Sequence, residues 1–421
     1  MRVLLVSVGS LGDTLPFIAW ARELESRGHE AIIGGNGYYE KLYAREGVKF
    51  ESLYSAEEHK AALDQSEVWS DSTPVKLGRP WFSTLLPRAF DFVARNHLPG
   101  ETVVAAQHVF AGARVAQEVH GIPTASLNLQ PLFLRSIYDP TGPSERWPLF
   151  LRRSVDWLID KGIDAWLGKP LNEFRSRFGL TPVKRFTKFW WNSPDLVINF
   201  FPEWFNPRQV DWPPNTISVG FPFFRDQKVD YDRERLRAFL TSGESPILFS
   251  ASSFTNDARR YFEESMKAVI KLNKRAVFLT PFGDQIPKPL PPGVAYFSFV
   301  PLEAILSQAC LHVHHCGSGT LALTFDAGIP HLAVPQGIDQ GDIAHRLERL
   351  GVSRTLLPKM YSAERLVDAC EQLWRSAEVR ARCATIQQWS KGQNALADAT
   401  TALEDLLAKS QNHRIDHAVV R

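Results

Sequence analysis

Cysteine is scarce in this chain of 421 residues. The four present, Cys310, Cys316, Cys370 and Cys383, form no CxxC pair. That excludes a disulfide framework and fits reduced thiols in a cytosolic protein. Charge of one sign is missing too: 48 Lys and Arg stand against 46 Asp and Glu, a net +2 with no long run of either sign. A nucleic-acid partner is therefore not expected. No stretch approaches the roughly 20 apolar residues of a membrane span. The opening MRVLLVSVGSLGD has one Arg and a short apolar run without a small-residue cleavage site. It reads as a buried first strand rather than a leader. Apolar residues make up 44%, which excludes a disordered chain. The length suggests two or three domains.

Short β-branched runs alternate with helical patterns. Strands are expected at Val3–Val6, at His29–Ile33, and in the runs beginning at Thr102, Ile122 and Asp195. The series restarts after Phe221, with strands beginning at Pro246, Arg275, Val294, Leu311 and His331. Helices are expected over Pro16–Arg27 and Asp257–Leu272. Such alternation implies parallel sheets covered by helices on both faces, hence two doubly wound α/β domains whose ligands sit at the strands' carboxyl ends and whose facing sides make a cleft. The boundaries read as 1–225, 226–395, and 396–421 for a helix returning toward the first domain before a frayed tail. Residues 139–215 break the alternation and hold seven of the twelve tryptophans. Apolar residues there recur at helical spacing. They suit an amphipathic helix packed on its own domain, an apolar acceptor pocket, or a membrane-surface patch.

LHVHHCGSGTLALTFDAGIP, Leu311 to Pro330, poses a choice between a metal site and a phosphate cradle. On a strand, His312 and His314 face one way and His315 the other, so the histidines do not converge tetrahedrally on an ion. The glycine turn, followed by a short helix stopped at Gly328 and Pro330, suits an anion instead. Small residues allow close backbone approach, and unpaired N–H groups point out of a helix start. Asp339 and Gln340, after the next strand, are placed to hold sugar hydroxyls. Phe299, at another strand end, is placed to stack on a base. The three contacts together describe a nucleotide sugar.

HCGSGT…DAGIPHLAVPQGIDQ resembles the donor-binding signature of family 1 glycosyltransferases of the GT-B fold. SVGSLGDTLPFIAWARELESRGHEA resembles the first strand and helix of bacterial members. SPDLVINFFPEWFNPRQVDWPPNTISVGFPFF is similar to the bacterial rhamnosyltransferases of rhamnolipid synthesis. The resemblance implies two doubly wound domains facing a central cleft. It makes His315 the diphosphate ligand, helped by Gly317, Ser318, Gly319 and Thr320, with Gly12 and the loop residues Ser252 and Ser253 also at the donor. Phe299 takes the base, and Asp339 with Gln340 takes the sugar. Asp13 is the catalytic base, and no metal is needed. His108, Phe110, Gln130 and Phe133, at strand ends of the first domain, line the acceptor. Two positions depart from the family: its Glu eight residues after the signature His is Leu323, and its Asn three after the Gln is Ile343. Leu323 favours a deoxythymidine diphosphate sugar over a uridine one.

The reaction so implied is an inverting transfer of rhamnose or another hexose to a hydroxyl of an apolar acceptor, such as a hydroxy-fatty acyl lipid, at the inner face of a membrane. Asp13 also suits a helix cap. Glucosylation of a natural-product aglycone from UDP-glucose, a non-catalytic nucleotide-sugar-binding helper and a nucleotide-sugar epimerase remain alternatives. An NAD-linked dehydrogenase fits poorly, because GSLGDT is not GxGxxG and IIGGNG ends without an acid for the ribose.

Overall fold

A computed structural model describes residues 1–7, 9–64, 73–107, 110–140, 142–225, 229–251 and 258–419. His108, Ser252 and Ser253 lie outside the described residues. The chain divides into two compact units, Met1–Pro222 with Asn394–Arg421, and Phe223–Gln393.

The first unit is built on strands β1 (Arg2–Val6), β2 (Glu30–Asn36), β3 (Lys49–Tyr54), β4 (Thr102–Gln107), β5 (Thr124–Asn128), β6 (Leu196–Asn199) and β7 (Thr216–Ser218). They are ordered β3-β2-β1-β4-β5-β6-β7, and every ladder is parallel. A parallel sheet is covered on both faces, so its central strands carry continuous apolar runs. Val3, Leu4, Leu5 and Val6 of β1 are accordingly all buried. The second unit holds β8 (Ile247–Ser250), β9 (Ala276–Leu279), β10 (Val294–Phe297), β11 (Leu311–His314), β12 (His331–Ala333) and β13 (Ser353–Thr355). Their order is β10-β9-β8-β11-β12-β13, again all parallel.

Both sheets wind outward in one direction, then cross back to start in the other. In the first unit the reversal falls between β1 and β4, in the second between β8 and β11. Loops leaving the carboxyl ends of such a pair diverge, and the crevice between them is where doubly wound sheets bind ligands. Asp13 follows β1, and the stretch from His315 to Thr320 follows β11. Each therefore sits at the reversal of its own sheet.

The Ala395–Val419 helix belongs to the first unit. Trp20 Nε1 donates to Thr400 Oγ1 at 3.0 Å, and His29 Nε2 lies 2.7 Å from Glu404 Oε1. The helix extends to Val419, through the residues whose polar composition suggests a frayed end.

The Leu149–Ile163 helix also departs from expectation. It is not an amphipathic helix with its apolar face inward. Asp160 is fully buried, and Asp156 is 11% exposed at its side chain. Arg135 bonds to Asp160, and Arg185 Nε donates to Asp160 at 2.9 Å. Phe150, Trp157 and Leu158 point outward.

One close approach in the first unit requires glycine. A Cβ on Gly112 would lie 2.0 Å from the backbone oxygen of Leu86 in the Thr73–Asn96 helix. Backbone cannot yield as a side chain can. Gly112→Ala is expected to destabilise the protein by about 1–3 kcal/mol, the usual cost of overpacking. Gly162→Ala, which meets nothing within 4 Å, is the control and should be neutral or stabilising by up to about 1 kcal/mol. Urea unfolding of the two variants checks the contrast.

Candidate functional site

In the first unit the loop after β1 turns sharply at Gly9, whose φ is 129°. The Asp13 carboxylate folds over it, and a Cβ at Gly9 would lie 2.3 Å from Asp13 Oδ2. The cap of the Leu11–Ser26 helix is Ser10, and Asp13 is the third residue within the helix. Ser10 N and Ser10 Oγ each donate to Asp13 Oδ2 at 2.9 Å, the reciprocal half of a capping box. Oδ1 faces Gln130, whose Nε2 donates to it at 3.4 Å. Burial raises the Asp13 pKa, outweighing the bonds from Ser10 and Gln130 that pull it down. A desolvated carboxylate holds a proton more readily than one in water, as a general base requires.

The structure thus brings Gln130 to Asp13. Phe133, 42% exposed, is three residues further on. Phe110 is corrected as an acceptor residue. At 2% exposure its ring belongs to the unit's core beside Leu86, Phe90 and Val104; the chain turns it inward as the helix Ala111–His120 begins. Gly12 is exposed in its helix's first turn.

Sequence reasoning missed three residues around this loop. Asn36 Nδ2 donates to Gly9 O at 3.1 Å, and Gly9 N donates to the Tyr54 hydroxyl at 3.2 Å. His59 Nδ1 lies 3.1 Å from Asn36 Nδ2. Asn36 and Tyr54 end β2 and β3, so the carboxyl-end rule that singled out Asp13 pointed to them as well.

In the second unit His312 and His314 do face the same way, their rings 4.7 Å apart. Both are fully buried, as is His331 to within 1%. His312 bridges two elements, with Nε2 at 2.8 Å from Ser250 Oγ and Nδ1 at 2.8 Å from Thr324 Oγ1. Cys316 N donates to His314 Nδ1 at 3.1 Å, which puts the His314 proton on Nε2. Nε2 then donates to His331 Nδ1 at 3.0 Å, leaving His331 protonated on its own Nε2. Burial drives all three pKa values down, His331 to about 3, so the rings are neutral. The histidines therefore bond to one another and to hydroxyls. Among the described residues no group of three His, Cys, Asp or Glu stands where a metal could be held.

His315 leaves this row. A Cβ on Gly317 would lie 2.8 Å from His315 Nε2, so only glycine lets the imidazole lie there. His315 Nδ1 is buried with no partner among the described residues. Burial lowers the His315 pKa to about 4, so the ring is neutral and one of its nitrogens can donate a hydrogen bond. Gly317 then starts the Ser318–Ala327 helix with no side-chain cap. The N–H groups of that helix's first turn have no intrahelical acceptor, and its dipole favours an anion there. Phe299 is 47% exposed beyond β10. Asp339 and Gln340 open the Ile338–Arg349 helix. Gln340 Oε1 accepts from Gln336 N at 2.8 Å and Gly337 N at 3.1 Å, so its amide nitrogen is the group that can reach a sugar. Leu323 packs against a cluster containing Phe297, Val300 and Leu306. Ile343 is in the core.

The buried imidazoles make a pH prediction. Their folded pKa values lie below the ordinary 6.5 or so of an unfolded chain. Their contribution to stability is therefore full above about pH 6.5 and lost as pH falls below it, by up to about 1.4 kcal/mol per pH unit for each ring. His331→Asn keeps an acceptor for His314 but cannot titrate. Urea unfolding over a pH series should show the variant losing stability on acidification less steeply than wild type. Equal slopes would mean that His331 takes up its proton as readily in the folded chain as in the unfolded one, so that burial does not hold it neutral.

Residues 266–406 match the family described as erythromycin biosynthesis protein CIII-like, C-terminal domain. Over 371 residues the chain is 25% identical to O-mycaminosyltylonolide 6-deoxyallosyltransferase of Streptomyces fradiae, an alignment covering 85% of this chain and 86% of that protein. Over 420 residues it is 20% identical to a sterol 3-beta-glucosyltransferase of Arabidopsis thaliana, covering 96% of this chain and 67% of that one. The structure of a spinosyn rhamnosyltransferase complexed with thymidine diphosphate has the same fold, with a TM-score of 0.65 over 96% of this chain and 100% of that one at 16% identity. With two parallel-sheet units, a glycine turn at the reversal of the second sheet and these relatives, the chain is a glycosyltransferase with the GT-B fold, similar over residues 266–406 to the erythromycin-CIII-like C-terminal domains.

Proposed function

We propose that the enzyme transfers rhamnose or another hexose, with inversion, from a deoxythymidine or uridine diphosphate donor to a hydroxyl of an apolar acceptor. A hydroxy-fatty acyl lipid is the leading acceptor, and the cytoplasmic face of a membrane the workplace. The observation that carries the donor half is His315 lying over Gly317 at an uncapped helix start. The acceptor oxygen forms a bond to the anomeric carbon as the bond from that carbon to the diphosphate oxygen breaks. The electron pair leaves with the diphosphate, and the acceptor proton passes to Asp13. His315 and the backbone N–H groups of Ser318, Gly319 and Thr320 are preorganised donors for the growing negative charge and need no metal. Phe299 stacks on the base, and Asp339 with the Gln340 amide holds the sugar. The apolar side chain of Leu323 supports a deoxyribose, which lacks a 2′-hydroxyl.

A second reading, glycosylation of a natural-product aglycone or sterol, draws support from the deoxyallosyltransferase and sterol glucosyltransferase relatives. In it the same residues hold the donor and only the acceptor differs. A non-catalytic helper would bind nucleotide sugar yet transfer nothing.

Asp13→Asn keeps the capping oxygen but cannot take a proton. The variant should bind donor as wild type does and transfer sugar about 10²–10⁴-fold more slowly. If it melts early but turns over normally, Asp13 is a cap and not the base. His315→Ala should weaken binding of the nucleotide diphosphate and of its sugar alike, by about 1.5–3 kcal/mol at most; unchanged binding by calorimetry removes His315 from the site. In the same assay deoxythymidine diphosphate should bind more tightly than uridine diphosphate, and a chelator should leave turnover intact. A uridine preference would make UDP-glucose the leading donor.

A further inference from the structure

The Leu149–Ile163 helix is built inside out. Its acids turn inward at four-residue spacing, where Asp156 and Asp160 meet Arg135 and Arg185. The opposite stripe is apolar and open, with Phe150 66%, Trp157 46% and Leu158 59% exposed. Residues four and seven or eight positions apart share one face of a helix, so Phe150, Trp157 and Leu158 form one surface rather than scattered side chains. Soluble proteins rarely leave such a surface bare without an occupant.

We propose that this outer face docks on an anionic lipid bilayer. The charge around it selects that occupant. Among residues 144–163 the exposed ionic groups are Arg146, Arg153 and Lys161 against Glu145 alone, because Asp156 and Asp160 are held inside by arginines. Lys161 Nζ lies 5.5 Å from the centre of the Trp157 ring, an ammonium set beside the apolar stripe. The core of a protein interface is depleted in lysine and other charges. An interfacial helix instead lines its polar margin with Lys and Arg, whose long stems lie on the apolar surface while their heads reach lipid phosphates. Among the described residues no helix is long and apolar enough to cross a membrane, so the contact is parallel to the surface.

The placement also links to the acceptor side. Arg135, which holds the helix through Asp156 and Asp160, is five residues beyond Gln130, and Gln130 touches Asp13. Phe133 stands exposed between them. A bilayer under the helix would hold a lipid acceptor close to this loop. The proposal deepens the reading of a lipid acceptor and depends on it for purpose, not for geometry.

The test is flotation of the full-length protein with vesicles of equal parts phosphatidylcholine and phosphatidylglycerol, and with vesicles of phosphatidylcholine alone. Wild type should float with the anionic vesicles and not with the neutral ones, and less so as salt screens the contact. Phe150→Ser with Leu158→Ser should weaken binding at least about tenfold by removing apolar area. Arg153→Glu with Lys161→Glu should weaken it by about tenfold or more through charge. Neither double variant should change the melting temperature or the affinity for deoxythymidine diphosphate. A wild-type protein that stays at the bottom, or variants that float as well as it does, overturns the proposal. A self-association abolished by the serine variant, without vesicle binding, would assign the face to a second copy of the chain and overturn it too. Flotation needs no turnover, so failure of the surface and failure of the transferase reading are distinguishable.

Discussion

The loop between β11 and the Ser318–Ala327 helix depends on one turn. Cys316 stands at φ 68°, a left-handed conformation that costs a non-glycine residue about 1 kcal/mol or more. It persists because its N–H is anchored on His314 Nδ1, and His314 is itself fixed by donating to His331. The pairing works only while the rings are neutral, and burial keeps them so. The consequence is directional. The chain leaves β11 with His312 and His314 sealed among Ser250, Thr324 and His331, while His315 is turned out over Gly317. Two histidines thus support the turn while a third lies apart from them over Gly317, at a helix start whose free N–H groups suit an anion.

The first unit meets an analogous demand with a carboxylate. Asp13 orders a loop while burial keeps its pKa raised, and its two oxygens are held differently. Oδ2 takes both bonds from Ser10, which fixes the helix start. Oδ1 points toward Gln130 at the longer 3.4 Å. Hydrogen bonds alone would make the group a weak base; burial works against them and prevails. Cap and base are therefore compatible in one residue, because the bonds that position it do not saturate both oxygens.

The parts of the fold legible in the sequence are those whose physics is local. β1, β4 and β8 are buried on both faces and show as nearly continuous apolar or β-branched runs. β3, β7 and β13 escaped notice because they are edge strands: KFESLY is half-exposed and charged, while TIS and SRT are three residues long. The site divides along the same line. Alternation placed His312 and His314 on one face, and the glycine turn announced the helix start. That His331 completes their network follows only from the parallel register that sets it beside His312. The left-handed turn carried no sign, since cysteine rather than glycine or asparagine occupies it. Phe110 shows the converse error: position at a strand end marks the neighbourhood of a site, not the direction of a side chain.

The Leu149–Ile163 helix makes the last of these points most sharply. A 3.6-residue period divides a helix into two faces but does not say which one is inside. In most helices the apolar face wins, because burying ionised acids costs several kcal/mol each unless they are paired. Here the pairing comes from Arg135 before the helix and Arg185 after it, neither of which belongs to the periodic pattern. Arg185 N and Phe186 N also donate to Asp164 at the helix's end, so the anchorage extends past the last turn. Once the inner face is held by ions and hydrogen bonds, the apolar residues are no longer needed for the core. They become available to whatever apolar phase lies outside, while the arginines inside ensure that the acids do not repel an anionic one.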